Sequence, residues 1–170
     1  MYQVGEMVIY GSEGVCRVEA IGPVNMQGAS KDKEYYTLAP LYRSGKIYIP
    51  VDTKVFMRPV ISRDAAMALI RSIPDIQANV GSERNLRLRS EQYHALISTH
   101  QCEDMVQIIK SAYSRQQSRH SHGDKPGQMD ERYRKRAEDL LHGELAVALG
   151  MERDEVADFI SKTLQETNTK

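Results

Sequence analysis

Four groups of side chains have the types or the spacing to suggest chemistry. His120 and His122 with Asp124 could ligate a divalent cation, because imidazole and carboxylate are ordinary metal donors. They lie in SRHSHGDKPGQ, a stretch of serine, glycine and proline that reads as an exposed loop with no second rigid element to close a shell. A solvated loop is therefore preferred, and no metal is expected. Gly45-Lys46 resembles the end of a phosphate loop, yet the required earlier glycine falls on Pro40 and Ile47 stands where Ser or Thr should follow. Ser12 in GSEG has no G-x-S-x-G elbow around it and no histidine in its half of the chain. None of these sets supplies a catalytic residue or calls for a cofactor, so an enzyme is not expected.

The fourth group is cationic. Arg84, Arg87 and Arg89 fall within six residues, Lys110, Arg115 and Arg119 follow in a helical stretch, and ERYRKR adds Arg132 and Lys135. Such a distribution could line one side of a helical bundle and hold a duplex backbone, or it could be a solvated face. The whole chain is neutral, with 23 Lys plus Arg against 23 Asp plus Glu, so any attraction for a polyanion must be local. Charge is in fact sorted along the sequence. Residues 84–136 hold eleven basic and six acidic side chains, whereas 137–170 hold three and eight.

The elements that would position these groups change period near Ile61. Before it, MVIY, VCRVEAI, EYYTLAPLY and KIYIPV are rich in Val, Ile and Tyr and are separated by glycine-bearing turns. In KIYIPV, Ile47, Ile49 and Val51 alternate with Lys46 and Tyr48, which predicts one buried and one exposed face. Four or five such strands make a small barrel. After it the period is helical. Ser62 is the expected N-cap of a helix that Pro74 ends, a second helix runs from Glu83 or Asn85 to His100, and a third from Cys102 to about Arg119. A fourth starts near Asp130 and stops at Gly150, and a fifth covers about Arg153 to Gln165. The fold class is α+β with two domains, 1–60 a small antiparallel β-barrel and 61–170 a bundle of about five helices.

The last two helices have spacings that suit a helix-turn-helix, but Glu152, Asp154, Glu155 and Asp158 would meet phosphates with the wrong sign. Two helices closing a bundle is the preferred reading. Cys16 and Cys102 are too few for a disulfide framework and read as small buried apolar residues. No apolar run reaches the roughly 18 residues needed to span a bilayer, and MYQVGEMV is unlike a secretory signal. A cytoplasmic protein without a membrane partner is expected.

VGEMVIYGSEGVCRVEAI resembles the opening strands of the CarD/CdnL family of bacterial transcription regulators, and ERYRKRAEDLLHGELAVALG resembles that family's late helix, where a basic run leads into L-x-x-E-L-A. KIYIPV, IPDI and MVQIIKSAYSR fit the intervening segments in the same order. The resemblance implies a Tudor-like first domain that binds the β1 lobe of the RNA polymerase β subunit, with the opening strand pair offering backbone groups at a sheet edge. Val24, Lys46, Tyr48, Ile49 and Pro50 would face polymerase. It also implies helices that contact promoter DNA at the upstream edge of the bubble and stabilise the open complex, through Arg84, Arg87, Arg89, Lys110, Arg115, Arg119, Arg132 and Lys135.

Where the family carries a wedge tryptophan this chain has none, and by spacing Val80 or Leu86 takes the position. An aliphatic side chain can still enter a minor-groove base step. The expected protein is a monomeric, nucleoid-associated regulator. The alternative is a protein-interaction adaptor that never touches DNA.

Overall fold

Alternating Val, Ile and Tyr build the first half into strands, and a 3.6-residue apolar period builds the second into helices. The computed structural model describes residues 1–78, 84–123 and 127–168. It divides into two units, Met1–Val60 and Ile61–Lys170.

In the first unit β1 (Met7–Tyr10), β2 (Gly14–Gly22), β3 (Tyr35–Pro40), β4 (Ile47–Pro50) and β5 (Met57–Pro59) form one antiparallel sheet in the order β4-β3-β2-β1-β5. The strands therefore sit in the expected α+β arrangement, but β4 and β5 are the two ends of the order and do not pair with one another. The sheet is not closed.

Cross-strand pairing puts Val8 beside Cys16 and Tyr36 beside Ile49. These four residues bury one core with Val18 and Leu38. A register shift between Val18 and Ala20 marks a bulge in β2, which bends that strand. The β1–β2 connection is a tight 3-10 turn over Gly11–Glu13, and it needs its glycine. Gly11 has φ +46° and a Cβ there would meet Val55 Cγ1 at 3.1 Å. The Gly11 N–H also donates to Phe56 O at 2.8 Å, tying the turn to the segment that leads into β5.

The second unit contains α1 (Arg63–Ser72), α2 (Leu86–Ile97), α3 (Cys102–Ser121), α4 (Gln128–Leu149) and α5 (Val156–Asn168). Ser62 caps α1 as its sequence predicts, its Oγ accepting the Ala65 N–H at 3.1 Å. Arg63 donates to Leu149 O at 3.0 Å, placing a cation at the C-terminal end of α4, where Gly150 turns left-handed with φ +70°. α3 packs along α4. Met105, Val106 and Ile108 share with Ala137, Leu141, Leu145 and Leu149 a core that also takes Leu69 and Ile70 from α1.

α3 continues through Ser121, so Ser118 to Ser121 are helical and not the loop that their composition suggests. At its C-cap the Arg119 and His120 carbonyls accept the N–H groups of His122 and Gly123 at 3.1 and 3.0 Å. Among the described residues no helix is long and apolar enough to cross a membrane.

Candidate functional site

The first unit has two sheet margins. β5 is three residues long and β4 four, and each ends in a proline, Pro59 and Pro50, that has no N–H to donate. β4 pairs with β3 from Ile47 opposite Leu38 to Pro50 opposite Tyr35, and among the described residues no strand pairs with its other side. On this margin Ile49 is buried and its neighbour Tyr48 is 40% exposed, so strand alternation holds the tyrosine on the outer face.

Lys46 lies just before β4, its Nζ 2.7 Å from Glu19 Oε2. That hydrogen bond, and then the charge of Glu19, raise the lysine pKa above its ordinary value. Pro50 ends the strand, half-buried, and Val24 lies half-buried in the irregular stretch after β2. The opening strand pair is not the available margin that the sequence suggested. β2 is covered by β3 and β1 by β5, and β5 is too short to show a period-2 signal in advance.

In the second unit the cations separate into two sets. Arg84 is exposed next to the helix cap Asn85, whose Oδ1 accepts the N–H groups of Arg87 and Leu88 at 2.9 and 3.3 Å. Leu86 at the first turn of α2 is 63% exposed and Leu88 41%. Arg87 points outward with only an exposed 3.5 Å ion pair to Glu91, of little energetic weight. Arg132 and Lys135 are also exposed, Lys135 lying 3.5 Å from Glu131 one turn away. Arg119 is half-buried near the end of α3. Leu88 was not singled out from sequence, although the alternation in LRLR displays it.

Arg89, Lys110 and Arg115 form the second set, and their charged ends turn into the protein. Arg115 Nη1 lies 2.7 Å from Asp130 Oδ1, and Arg89 Nη1 lies 3.4 Å from Asp130 Oδ2. Asp130 is 1% exposed in the first turn of α4, a position where a carboxylate also meets the positive end of the helix dipole. The Tyr93 hydroxyl donates to Asp130 Oδ1 at 2.7 Å and accepts from Arg115. Burial, then the hydrogen bond to Asp130, push the Tyr93 pKa up, which keeps its proton in place.

The Tyr93 ring stacks on Tyr133 at 5.0 Å, and the Tyr133 hydroxyl shares a 3.0 Å hydrogen bond with Ser90 Oγ. Lys110 Nζ donates to Ile73 O at 2.7 Å and to Ile76 O at 2.5 Å, closing the 3-10 turn Ile73–Asp75 that follows α1. Direct phosphate contact by these three residues, expected from sequence, would require breaking bonds inside the fold. The reason is tertiary: Asp130 and the turn carbonyls lie on other helices and on the α1 end.

Val80 lies outside the described residues, as does Asp124. Among the described residues no three His, Cys, Asp or Glu side chains converge on a possible metal position. The His122 Nδ1 bonds the Ser118 carbonyl at 2.7 Å, one turn back on its own helix. Glu144 of the ELA segment is buried, accepting the Ile61 N–H at 2.9 Å and the Cys102 Sγ–H at 3.1 Å. Both thiols thus sit in structural roles.

The described residues place an unpaired side of β4 in one unit and exposed cations around the start of α2 in the other. Residues 2–61 match the family model of the CarD-like/TRCF RID domain. No curated protein matches the chain.

Proposed function

We propose that this protein, whose residues 2–61 match the CarD-like/TRCF RID domain and so support an RNA polymerase-interacting, transcription-associated role, acts by bridging polymerase to promoter DNA. The β4 margin adds to a strand of the polymerase β subunit in the β1 lobe, with Tyr48, Ile49, Pro50, Lys46 and Val24 forming the contact. Backbone pairing supplies affinity and the outer-face tyrosine supplies specificity. The helical unit then meets DNA at the upstream edge of the bubble and stabilises the open complex. Neither contact need be tight alone, since docking one raises the effective concentration of the other.

The observation that supports the DNA contact is the start of α2, where Arg84 and Arg87 flank a leucine that is 63% exposed. Cations beside an exposed apolar side chain suit a backbone grip with a minor-groove wedge. Arg132 and Lys135, and Arg119 at the α3 end, extend the cationic surface. The protein works as a monomer in the cytoplasm, on the nucleoid.

The test is the lifetime of the open complex formed by purified polymerase with the protein added. It should lengthen, and an Arg84→Ala, Arg87→Ala double variant should lose the effect while still binding polymerase. An adaptor reading draws on the inward turn of Arg89, Lys110 and Arg115, which leaves fewer charges for phosphate. It expects recruitment with no change in the lifetime of melted DNA.

A further inference from the structure

We infer that Asp130 and Lys110 are positioning residues for the DNA-facing start of α2. The inference rests on the DNA-contact reading above and assigns to two charged groups a role opposite to the one their charge suggests. Two polar anchors hold described residues, one before α2 and one on it. In the first, Lys110 Nζ gathers the carbonyls of Ile73 and Ile76, fixing the turn from which the chain leaves α1. In the second, Arg89 and Tyr93 of α2 both reach Asp130, whose 1% exposure excludes water from competing.

Tyr93 is the one fully buried residue of α2, and the partly buried Leu96 and Ile97 pack against the core at its C-terminal end, away from Leu86. A helix start that buries so little apolar surface is oriented by its polar contacts. The outward direction of Arg87 follows from the inward direction of Arg89. Two residues apart on a helix, at roughly 100° each, they point to nearly opposite sides, so seating Arg89 on Asp130 sends Arg87 away from the bundle. Leu86 sits one residue before Arg87 in the same exposed first turn.

Gly127 supports this from behind, because a Cβ there would lie 2.9 Å from Asp130 Oδ2. The carboxylate has been given room that no other residue would leave.

The two roles differ in the sign of one effect. If Asp130 were only a negative charge near a basic surface, neutralising it would release Arg89 and Arg115 and strengthen DNA binding. If it positions α2, neutralising it weakens binding even though the surface becomes more positive. The measurement is the affinity of the full chain for polymerase on a promoter fragment divided by its affinity for polymerase alone, over a salt series.

Asp130→Asn is expected to lower this ratio about 5-fold or more. The slope of its logarithm against log salt should be unchanged, since no phosphate contact is removed. Lys110→Met should behave likewise, whereas Arg84→Ala or Arg87→Ala should make the slope shallower by about 1 each. A ratio that rises or stays constant in Asp130→Asn, with circular dichroism unchanged, overturns the inference. So does a shallower slope in Lys110→Met, which would make that lysine a phosphate contact.

Should Asp130→Asn lose helicity, Tyr93→Phe keeps the ring on Tyr133 and removes one bond to Asp130. A fall in its ratio supports positioning, and no change overturns it. A wild-type ratio of one at every salt concentration fails the DNA reading itself, and is recognised by the absence of any effect to perturb.

Discussion

The Tyr93 hydroxyl donates a 2.7 Å hydrogen bond to the buried carboxylate of Asp130, joining α2 to the first turn of α4 across 37 residues of sequence. Asp130 also carries the Arg115 ion pair at 2.7 Å, with the arginine side chain 17% exposed. Removing one member of such a pair leaves a charge inside the protein without its counterpart. Asp130→Ala is therefore expected to destabilise the helical unit by about 3–5 kcal/mol, read from urea unfolding followed by far-ultraviolet circular dichroism. A loss below about 1 kcal/mol would mean that the network contributes nothing to folding.

Gly127 tests the same network from the backbone. Its conformation, φ −69°, is open to any residue, so the demand is for space alone. Gly127→Ala should cost about 1–3 kcal/mol by forcing the Asp130 carboxylate aside. Stability equal to wild type would show that the carboxylate moves freely.

Tyr48 tests the polymerase contact. It is 40% exposed on the outer face of β4, so Tyr48→Ala should leave the melting temperature nearly unchanged. Interface aromatics typically contribute more than about 1 kcal/mol, and polymerase affinity should fall by about 10-fold in a binding titration. Equal affinity for both proteins would remove β4 from the interface.

His142 links stability to pH. Burial lowers its pKa below the ordinary 6.5, Glu138 and Asp139 oppose that shift, and Arg153 adds to it. The folded protein thus holds the imidazole neutral at a pH where the unfolded chain would protonate it. The unfolded state binds more protons, so stability is complete above about pH 6.5 and declines as pH falls toward the folded pKa. His142→Gln should flatten this decline between pH 7 and 5 in thermal melts. An unchanged slope would assign the pH dependence to other groups.

Cys16 should be silent toward thiol reagents. It is fully buried between β1 and β3 partners, and burial first, then Glu13, push its pKa up to about 11, with Arg43 opposing. Thiolate is the reactive form, so at pH 8 iodoacetamide should label Cys16 only after denaturation. Labelling of native protein on the same time scale would reveal an opening of the sheet.

What could be foreseen and what could not follow one physical division. Ser62, Pro74 and Gly150 act on backbone within a few residues of themselves, and the helix ends they mark were legible. So was the alternation that buries Ile49 and exposes Tyr48. The direction of a cation was not legible, because it depends on an acid far away in sequence: Asp130 lies 41 residues from Arg89. Nothing in the run of arginines distinguishes Arg87, which faces water, from Arg89, which does not. Strand order was hidden for a similar reason. Three residues at Met57–Pro59 are too few to declare a strand, yet they cover β1 and move the available margin to β4.

The short margins of the sheet also bear on how many neighbours it can accept. A sheet open on both sides could receive a strand from one copy and lend one to the next, growing into a filament. Here β5 offers three residues and β4 four, and the proline at the end of each, Pro59 and Pro50, withholds a donor. A strand added at either side finds few donors to pair with, which works against runaway growth.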